Sequence, residues 1–292
     1  MNDISIKYKA AADRVTEARY RKESRFSAHR IFYAILRRMN LKILMKVLTF
    51  YGTKMWVSLP EFASCSIQQF GLIDIETPVY IASYLREGMI FMDIGAHYGF
   101  YSMLAGKITG PSGRTYSFEP TPATYTILAR NSGTVANATA EMMAISDSTN
   151  PVSFVAYAHT SSAFNHIYNP NETAVTGTII TARCTTLDAY CHDKSLLPDL
   201  IKLDTEGYEL HALKGAENTI SQGAPAFVIE FGMTKEDKLA PAIFLTQRDY
   251  AVFSAQTGTL KSTDLTEIEA SEPGSNFFFV HKSKLNRIVP CY

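Results

Sequence analysis

Four acids each stand at or just past the end of an apolar run: Asp93 after "MIFM", Glu119 after "RTYSF", Asp204 after "LIKL" and Glu230 after "AFVI". In an open parallel sheet, ligands bind beyond the carboxyl ends of the strands, where bare backbone lets a ligand approach. "FMDIGAHYGF" supplies such backbone, since Gly95 and Gly99 follow Asp93 with Ala96 and His97 between them. A dinucleotide fold would show G-x-G-x-x-G and aim a helix N-terminus at a pyrophosphate. Here G-A-H-Y-G stands behind an acid, which repels phosphates and suits a ligand carrying an ammonium and a sulfonium. S-adenosylmethionine has both charges and fits better than NAD, although a tight turn in any doubly wound fold produces the same short pattern. Glu119 lies 26 residues after Asp93, where a strand-end acid can accept hydrogen bonds from both hydroxyls of a ribose.

The elements that must position these acids are legible as alternating patterns. "MIFMD" is followed by "FYSMLAGKI", "RTYSFE" by "PATYTILARN", "DLIKLD" by "ELHALKGAENTI" and "AFVIEF" by "KEDKLAPAIFLTQR". Short strands buried on both faces and separated by helices predict a mostly parallel sheet. "YAVFSA" and "NFFFVH" show no helix between them and predict an antiparallel hairpin at one edge. A polar interruption between "AEMMAIS" and "DLIKLD" contains two further strand patterns, "SFVAYA" and "TIITAR". It reads either as a decorative surface hairpin or as a functional loop. Residues 1 to 55 read as helix, with no Pro and only Gly52 as a breaker, and the domain boundary falls near residue 70.

Composition bounds the rest. The 292 residues are 46% hydrophobic and 19% charged, enough for one large core and a smaller accessory unit. Net charge is zero, yet residues 1 to 55 carry 13 Lys/Arg against 4 Asp/Glu, leaving 15 against 24 in the body. Cys65, Cys184, Cys191 and Cys291 form no metal or disulfide pattern, which points to a reducing, cytoplasmic setting. The most apolar stretch, "IFYAILRRMNLKILMKVLTF", is broken by Arg37, Arg38, Asn40, Lys42 and Lys46 and is not expected to span a bilayer. Its Phe32, Ile35, Leu36, Met39, Ile43, Val47 and Phe50 follow helical spacing beside a basic row. Such a stripe lies peripherally on the inner face of a membrane, or packs on its own domain or a sister subunit in a homo-oligomer; packing is the commoner outcome. No reader motif accompanies the charge, so no nucleic acid partner is expected. The triplets at Asn137 and Asn171 read as accidental sequons.

"DIGAHYG", "SFEPTP", Asn131, "TTLDAY" and above all "IKLDTEGYELHALKGA" resemble the FkbM-type methyltransferases of the class I S-adenosylmethionine-dependent superfamily, over about residues 75 to 232. Lys202, Asp204, Glu206, Gly207, Glu209, Lys214, Gly215 and Ala216 match that family's pattern, while His97 stands where the family usually has Asn. The resemblance implies a Rossmann-like α/β three-layer sandwich of about seven strands with a terminal antiparallel hairpin, spanning residues 71–292 behind a basic helical region, 1–70. It implies S-adenosylmethionine held by Asp93, Gly95, Ala96, His97, Gly99, Glu119, Pro120, Ala144 and Asp204, with no metal. It also implies methylation of a hydroxyl oxygen, often on a sugar of a glycan, glycolipid or natural product. An N- or protein-directed methyltransferase and a catalytically silent cofactor-binding protein are the alternatives. Methyl transfer to an alcohol needs in-line alignment and a proton acceptor. The candidates are Asp204, Glu206, Glu230 and His97, whereas Glu209 reads as a first-turn acid favoured by the helix dipole.

Overall fold

The structure, a computed structural model, describes residues 7–13, 15, 28–157, 159–168, 177–232, 234–256 and 259–289. Cys291 and the Asn171 triplet lie outside them. Residues 7–13 are helical, and a helix, Ala28–Arg38, ends at Met39 and Asn40, the latter with φ of 51°. The expected continuous helix does not continue past this point. Ile43–Leu48 (β1) and Lys54–Leu59 (β2) instead form an antiparallel hairpin, because the branched run can pair across a turn at Gly52. The apolar stripe therefore splits: Leu36, Val47 and Phe50 are buried, while Phe32, Ile35, Met39 and Ile43 are exposed. The helix Phe62–Phe70 packs on the hairpin, and the Tyr33 hydroxyl donates to Gln68 Oε1 at 2.5 Å, tying Ala28–Arg38 to the same unit.

The strands that follow are β3 (Ile90–Ile94), β4 (Arg114–Phe118), β5 (Ala138–Glu141), β6 (Ala144–Ile145), β7 (Val152–Ala156), β8 (His166–Ile167), β9 (Thr178–Ala182), β10 (Cys184–Thr185), β11 (Leu200–Leu203), β12 (Ala226–Glu230), β13 (Tyr250–Gln256), β14 (Thr259–Thr263) and β15 (Asn276–His281). One sheet of eight runs β14-β13-β15-β12-β11-β3-β4-β5, and its five strands from β12 to β5 are parallel. Alternation feeds two cores. Phe91, Leu200, Val228 and Phe278 enter one, while Met92, Ile201, Phe227 and Phe279 enter the other. Strands covered on both faces by helices must be apolar on both faces, which is why their sequences read as continuous runs.

The terminal strands differ from expectation. β13 and β15 do pair antiparallel, but β14 and the helix Leu265–Ala270 lie between them in sequence, and β15 sits between β12 and β13 rather than at an edge. Phe277, Phe278, Phe279 and Val280 are all buried, so β15 needs cover on both sides. The polar "TLKST" of β14 takes the edge, where it can face water. In the interruption, β7 pairs antiparallel with β9 and β8, and the two-residue strands β6 and β10 pair with each other.

Asn131, at the end of the helix Pro122–Ser132, joins the N-terminal hairpin to the main domain. Its Oδ1 accepts from the Trp56 backbone N–H at 2.7 Å, and its Nδ2 donates to the carbonyls of Trp56 at 2.9 Å and Tyr98 at 2.8 Å. It is fully buried, so Asn131→Ala strands these groups and should cost about 2 to 3 kcal/mol by chemical denaturation. Asn137 is likewise structural, donating through Nδ2 to the Gly106 carbonyl at 3.1 Å and the Gly110 carbonyl at 2.6 Å.

Candidate active site

The carboxyl ends of β3, β4, β11 and β12 open onto one cavity of about 500 Å³. Gly95, Ala96, His97, Glu119, Pro120, Ala144, Asp204, Glu206 and Glu230 all line it. Asp93 and Gly99 do not. Asp93 is fully buried beneath the cavity floor, where its Oδ2 accepts from the Ser102 hydroxyl at 2.5 Å and its Oδ1 has no partner among the described residues. Burial pushes its carboxyl up, against the pull of Lys202 and Ser102. Gly99 starts the helix Phe100–Thr109 at a φ of 84°, and a Cβ there would lie 2.7 Å from Leu128 Cδ1. Its bareness serves packing. Gly95, with φ of 78°, passes the Asp204 backbone so closely that a Cβ would stand 1.7 Å from its carbonyl oxygen.

At one end of the cavity Glu119 is buried at the close of β4, where its Oε1 accepts from the Thr121 backbone N–H at 3.0 Å and from the Thr121 hydroxyl. Burial pushes its carboxyl up to about 7 despite those hydrogen bonds. His97 sits at a φ of 49° with its ring stacked on Tyr98 at 3.9 Å, and burial pushes its imidazole below the ordinary value although Glu61 and Asp204 pull upward. Its Nε2 lies 3.0 Å from Ser162 Oγ, and Asn165 Nδ2 donates to Thr121 Oγ1 at 3.2 Å. Both partners come from the polar interruption, which also sends Phe154 and Ile167 into the cavity wall. It is part of the site rather than a surface ornament.

At the other end the charges crowd. Lys202 is buried on β11 beside its register partner Asp93, and its Nζ donates to Asp204 Oδ2 at 2.8 Å while lying 5.1 Å from the Tyr101 ring centre. Burial works against its charge, yet Asp204, Asp93 and Glu230 together hold the ammonium above its ordinary value. Glu230 is driven well above the carboxylate range, first by burial and then by Asp204, with Lys202 opposing. Glu206, in the turn after β11 at φ of 55°, is pushed up to about 8 by desolvation and then by Asp204 and Glu209. Its exposed side lets solvent screen part of that repulsion. Glu209 stands in the first turn of the helix Glu209–Lys214 as expected, but it does more there than favour the dipole. It is buried, and its Oε1 accepts from the Thr205 backbone N–H and hydroxyl, both at 2.8 Å, and from the Gly207 N–H at 3.3 Å, so it holds the turn that carries Glu206.

Several lining residues had not been singled out. Tyr98 and Tyr101 stand on either side of Gly99 and Phe100, so the glycine motif itself could have exposed them, and Lys202, matched only as part of the family pattern, lines the cavity beside Asp204. Asp74 carried no local signal. It accepts from the Tyr101 hydroxyl and, through Oδ1, from the Glu76 and Thr77 N–H groups at 2.8 and 2.7 Å, a position only the tertiary fold creates. The donor set fits S-adenosylmethionine: a bare Gly95 crossing, a buried carboxyl at Glu119 that can accept from hydroxyls, and clustered acids for a cation.

Residues 93–256, more than half of the chain, match the methyltransferase FkbM domain. Similar solved structures include a methyltransferase FkbM from Methylobacillus flagellatus KT, at 18% identity and a TM-score of 0.43 over 74% of this chain and 53% of that one. This chain thus spans about half the length of that protein. An S-adenosylmethionine-dependent O-methyltransferase from Thermotoga maritima follows at 13% identity and a TM-score of 0.42, over 80% of this chain and 76% of that one. A putative rRNA methylase from Clostridium thermocellum shows 11% identity and a TM-score of 0.41, over 70% of this chain and 94% of that one. Likenesses this distant carry no information about the reaction. No curated protein matches the sequence. The α/β sheet has the class I arrangement that the motifs predict, and the cofactor of this family is S-adenosylmethionine. With the domain match covering the glycine turn, Glu119, Asp204 and Glu230 together, the chain belongs to the FkbM-domain methyltransferases.

Proposed function

We propose that this chain transfers the methyl group of S-adenosylmethionine to a hydroxyl oxygen of a carbohydrate. The observation that carries this reading is the convergence of Asp204, Glu206 and Glu230 around Lys202 at one end of the cavity, opposite Glu119. A polyol offers many donors and few charges, and a cluster of carboxyl groups is the complementary set of acceptors. Aromatic walls from Tyr98, Phe100 and Tyr101 supply flat surface for a sugar ring. When bound, the cofactor supplies a methyl group on a cationic sulfur, ready for in-line displacement.

The chain's own residues then have two tasks. Glu119 fixes the far end by accepting from the ribose hydroxyls. Asp204 removes the acceptor's proton as the new oxygen–carbon bond forms and the carbon–sulfur bond breaks. Lys202 holds Asp204 Oδ2 at 2.8 Å, leaving Oδ1 outside the ion pair to take that proton. Glu230, pushed toward its protonated form by burial and the neighbouring Asp204, helps place the acceptor through a hydrogen bond. The test is a screen of free glycosides, nucleotide sugars and lipid-linked glycans for S-adenosylhomocysteine and a new methyl ether. Turnover on amines or peptides with none on hydroxyls would sink the reading.

Glu119 also makes cofactor binding pH-dependent. A ribose diol donates more strongly, and through both hydroxyls, to the ionised carboxylate than to the protonated one, and the free protein holds this group at about 7, so affinity should rise between about pH 6 and about pH 8. Without cofactor the sign is opposite. A carboxyl raised above its unfolded value adds stability below that value and loses it as pH rises through about 7, here about 3 kcal/mol in all. Calorimetry should find Glu119→Ala weaker in cofactor binding by about 2 to 4 kcal/mol and free of the affinity's pH slope.

A further inference from the structure

We propose that the N-terminal unit, formed by Ala28–Arg38 and the β1–β2 hairpin, docks on the surface of an anionic bilayer and that the cavity takes an acceptor anchored in that bilayer. The docking surface stands independently of the reaction, whereas the anchored acceptor rests on the methyl-transfer reading. The unit's inner side is built as a core, with Tyr33, Leu36 and Leu59 buried against Met45 and Cys65. Its outer side is apolar as well. Ile31, Phe32 and Ile35 repeat along one face of Ala28–Arg38, and Met39, Leu41 and Ile43 continue exposed from it into β1, whereas Leu44 and Leu48 stand on the face of β1 opposite the one on which Met45 meets the helix. Ile35 is 50% exposed, Met39 61% and Leu41 47%. Scattered exposed leucines need no explanation, but a run of exposed apolar residues along one helix and into the strand that follows marks an interaction surface.

Charge identifies the occupant. Residues 28–48 contain Arg30, Arg37, Arg38, Lys42 and Lys46 and no acid at all, although the whole chain is neutral. Arg38 and Lys42 lie exposed between the apolar residues, while Arg37 donates to the Pro60 carbonyl at 3.0 Å and Lys46 lies over Trp56 at 5.2 Å. A second copy of this chain would set five cations against five, which opposes self-association through this face. Aliphatic side chains gain nothing from a nucleic acid backbone. An anionic membrane surface satisfies both components, since its acyl boundary takes the apolar groups and its headgroups attract the cations. No described helix is long and apolar enough to cross a membrane, so the contact is peripheral.

The placement gives the surface its use. Phe62 begins the helix that packs on the hairpin; it is 66% exposed and also lines the cavity. The helix that packs on the docking unit therefore forms part of the cavity rim. A glycan carried on a lipid could present its hydroxyl there without leaving the membrane.

The experiment is co-sedimentation of the full chain with vesicles of phosphatidylglycerol mixed into phosphatidylcholine, and of phosphatidylcholine alone. The chain should bind the anionic vesicles, bind neutral ones more weakly, and lose affinity as salt screens the cations. Ile35→Glu/Met39→Glu and Arg38→Glu/Lys42→Glu should each lower vesicle affinity at least about tenfold, with melting temperature and S-adenosylmethionine affinity unchanged. Absent vesicle binding, unchanged binding in both variants, or a dimer in sedimentation velocity that both variants dissolve would overturn the proposal. A second readout compares one glycoside in water with the same glycoside on a lipid tail in vesicles. The variants should slow only the embedded acceptor, and equal slowing of both would overturn the anchored-acceptor part. If neither acceptor is methylated while the vesicle results hold, the reaction reading fails and the docking surface stands.

Discussion

Asp204→Asn should lower methyl-transfer turnover by about 10²- to 10⁴-fold while leaving S-adenosylmethionine affinity nearly intact. The amide keeps an oxygen for the Lys202 ammonium, which donates to Asp204 Oδ2 at 2.8 Å, so the floor of the site stays in place. What it loses is basicity. Glu230→Gln makes the sharper comparison. Burial and the neighbouring Asp204 push the Glu230 carboxyl toward its protonated form, and a glutamine mimics that neutral, hydrogen-bond-donating state. Its loss should stay within about tenfold. Rapid-quench turnover together with calorimetry of the cofactor separates the two variants. A large loss in Glu230→Gln with full activity in Asp204→Asn would move the proton acceptor from β11 to β12.

Gly95→Ala should cost about 3 to 5 kcal/mol of stability and abolish cofactor binding in whatever protein remains folded. Two penalties add. The residue sits at φ of 78°, where a side chain is strained, and the new Cβ would stand 1.7 Å from the Asp204 carbonyl oxygen and 2.8 Å from its carbon. Both obstacles are backbone, so no rotamer change relieves them, and β3 and β11 must separate at the carboxyl ends that form the site. Gly207→Ala is the control. It shares the left-handed strain at φ of 99° but meets nothing within 4 Å, so it should cost only about 1 kcal/mol. Equal melting temperatures for the two variants would show that the close approach at Gly95 is not real.

The acids at strand ends were legible because their position depends on a local pattern. A run apolar on both faces must be an interior strand, and the first polar residue after it must emerge at the edge. That argument placed Glu119, Asp204 and Glu230 around one cavity. It misplaced Asp93, because a strand-end carboxylate can turn inward as well as outward, and Ser102 and Lys202 draw this one beneath the floor. Helical spacing over residues 32 to 50 failed for a related reason. Ile43–Leu48 satisfies both a helical and an extended pattern, and the choice fell to its pairing with Lys54–Leu59, a partner outside the window that the spacing surveys.

What the sequence determined by itself was therefore the parallel α/β core, the glycine crossing at Gly95 and the acids that meet beyond the strands, all set by short-range patterns of polarity. The tertiary structure decided which of those groups face the ligand, and it drew Asp74, Ser162 and Asn165 from distant segments into the same wall. It also left one side of the basic N-terminal unit uncovered. Burial and charge proximity are properties of the packed chain: Glu230 meets the charges of Asp204 and Lys202, and Lys202 meets Asp93, only when β3, β11 and β12 lie side by side.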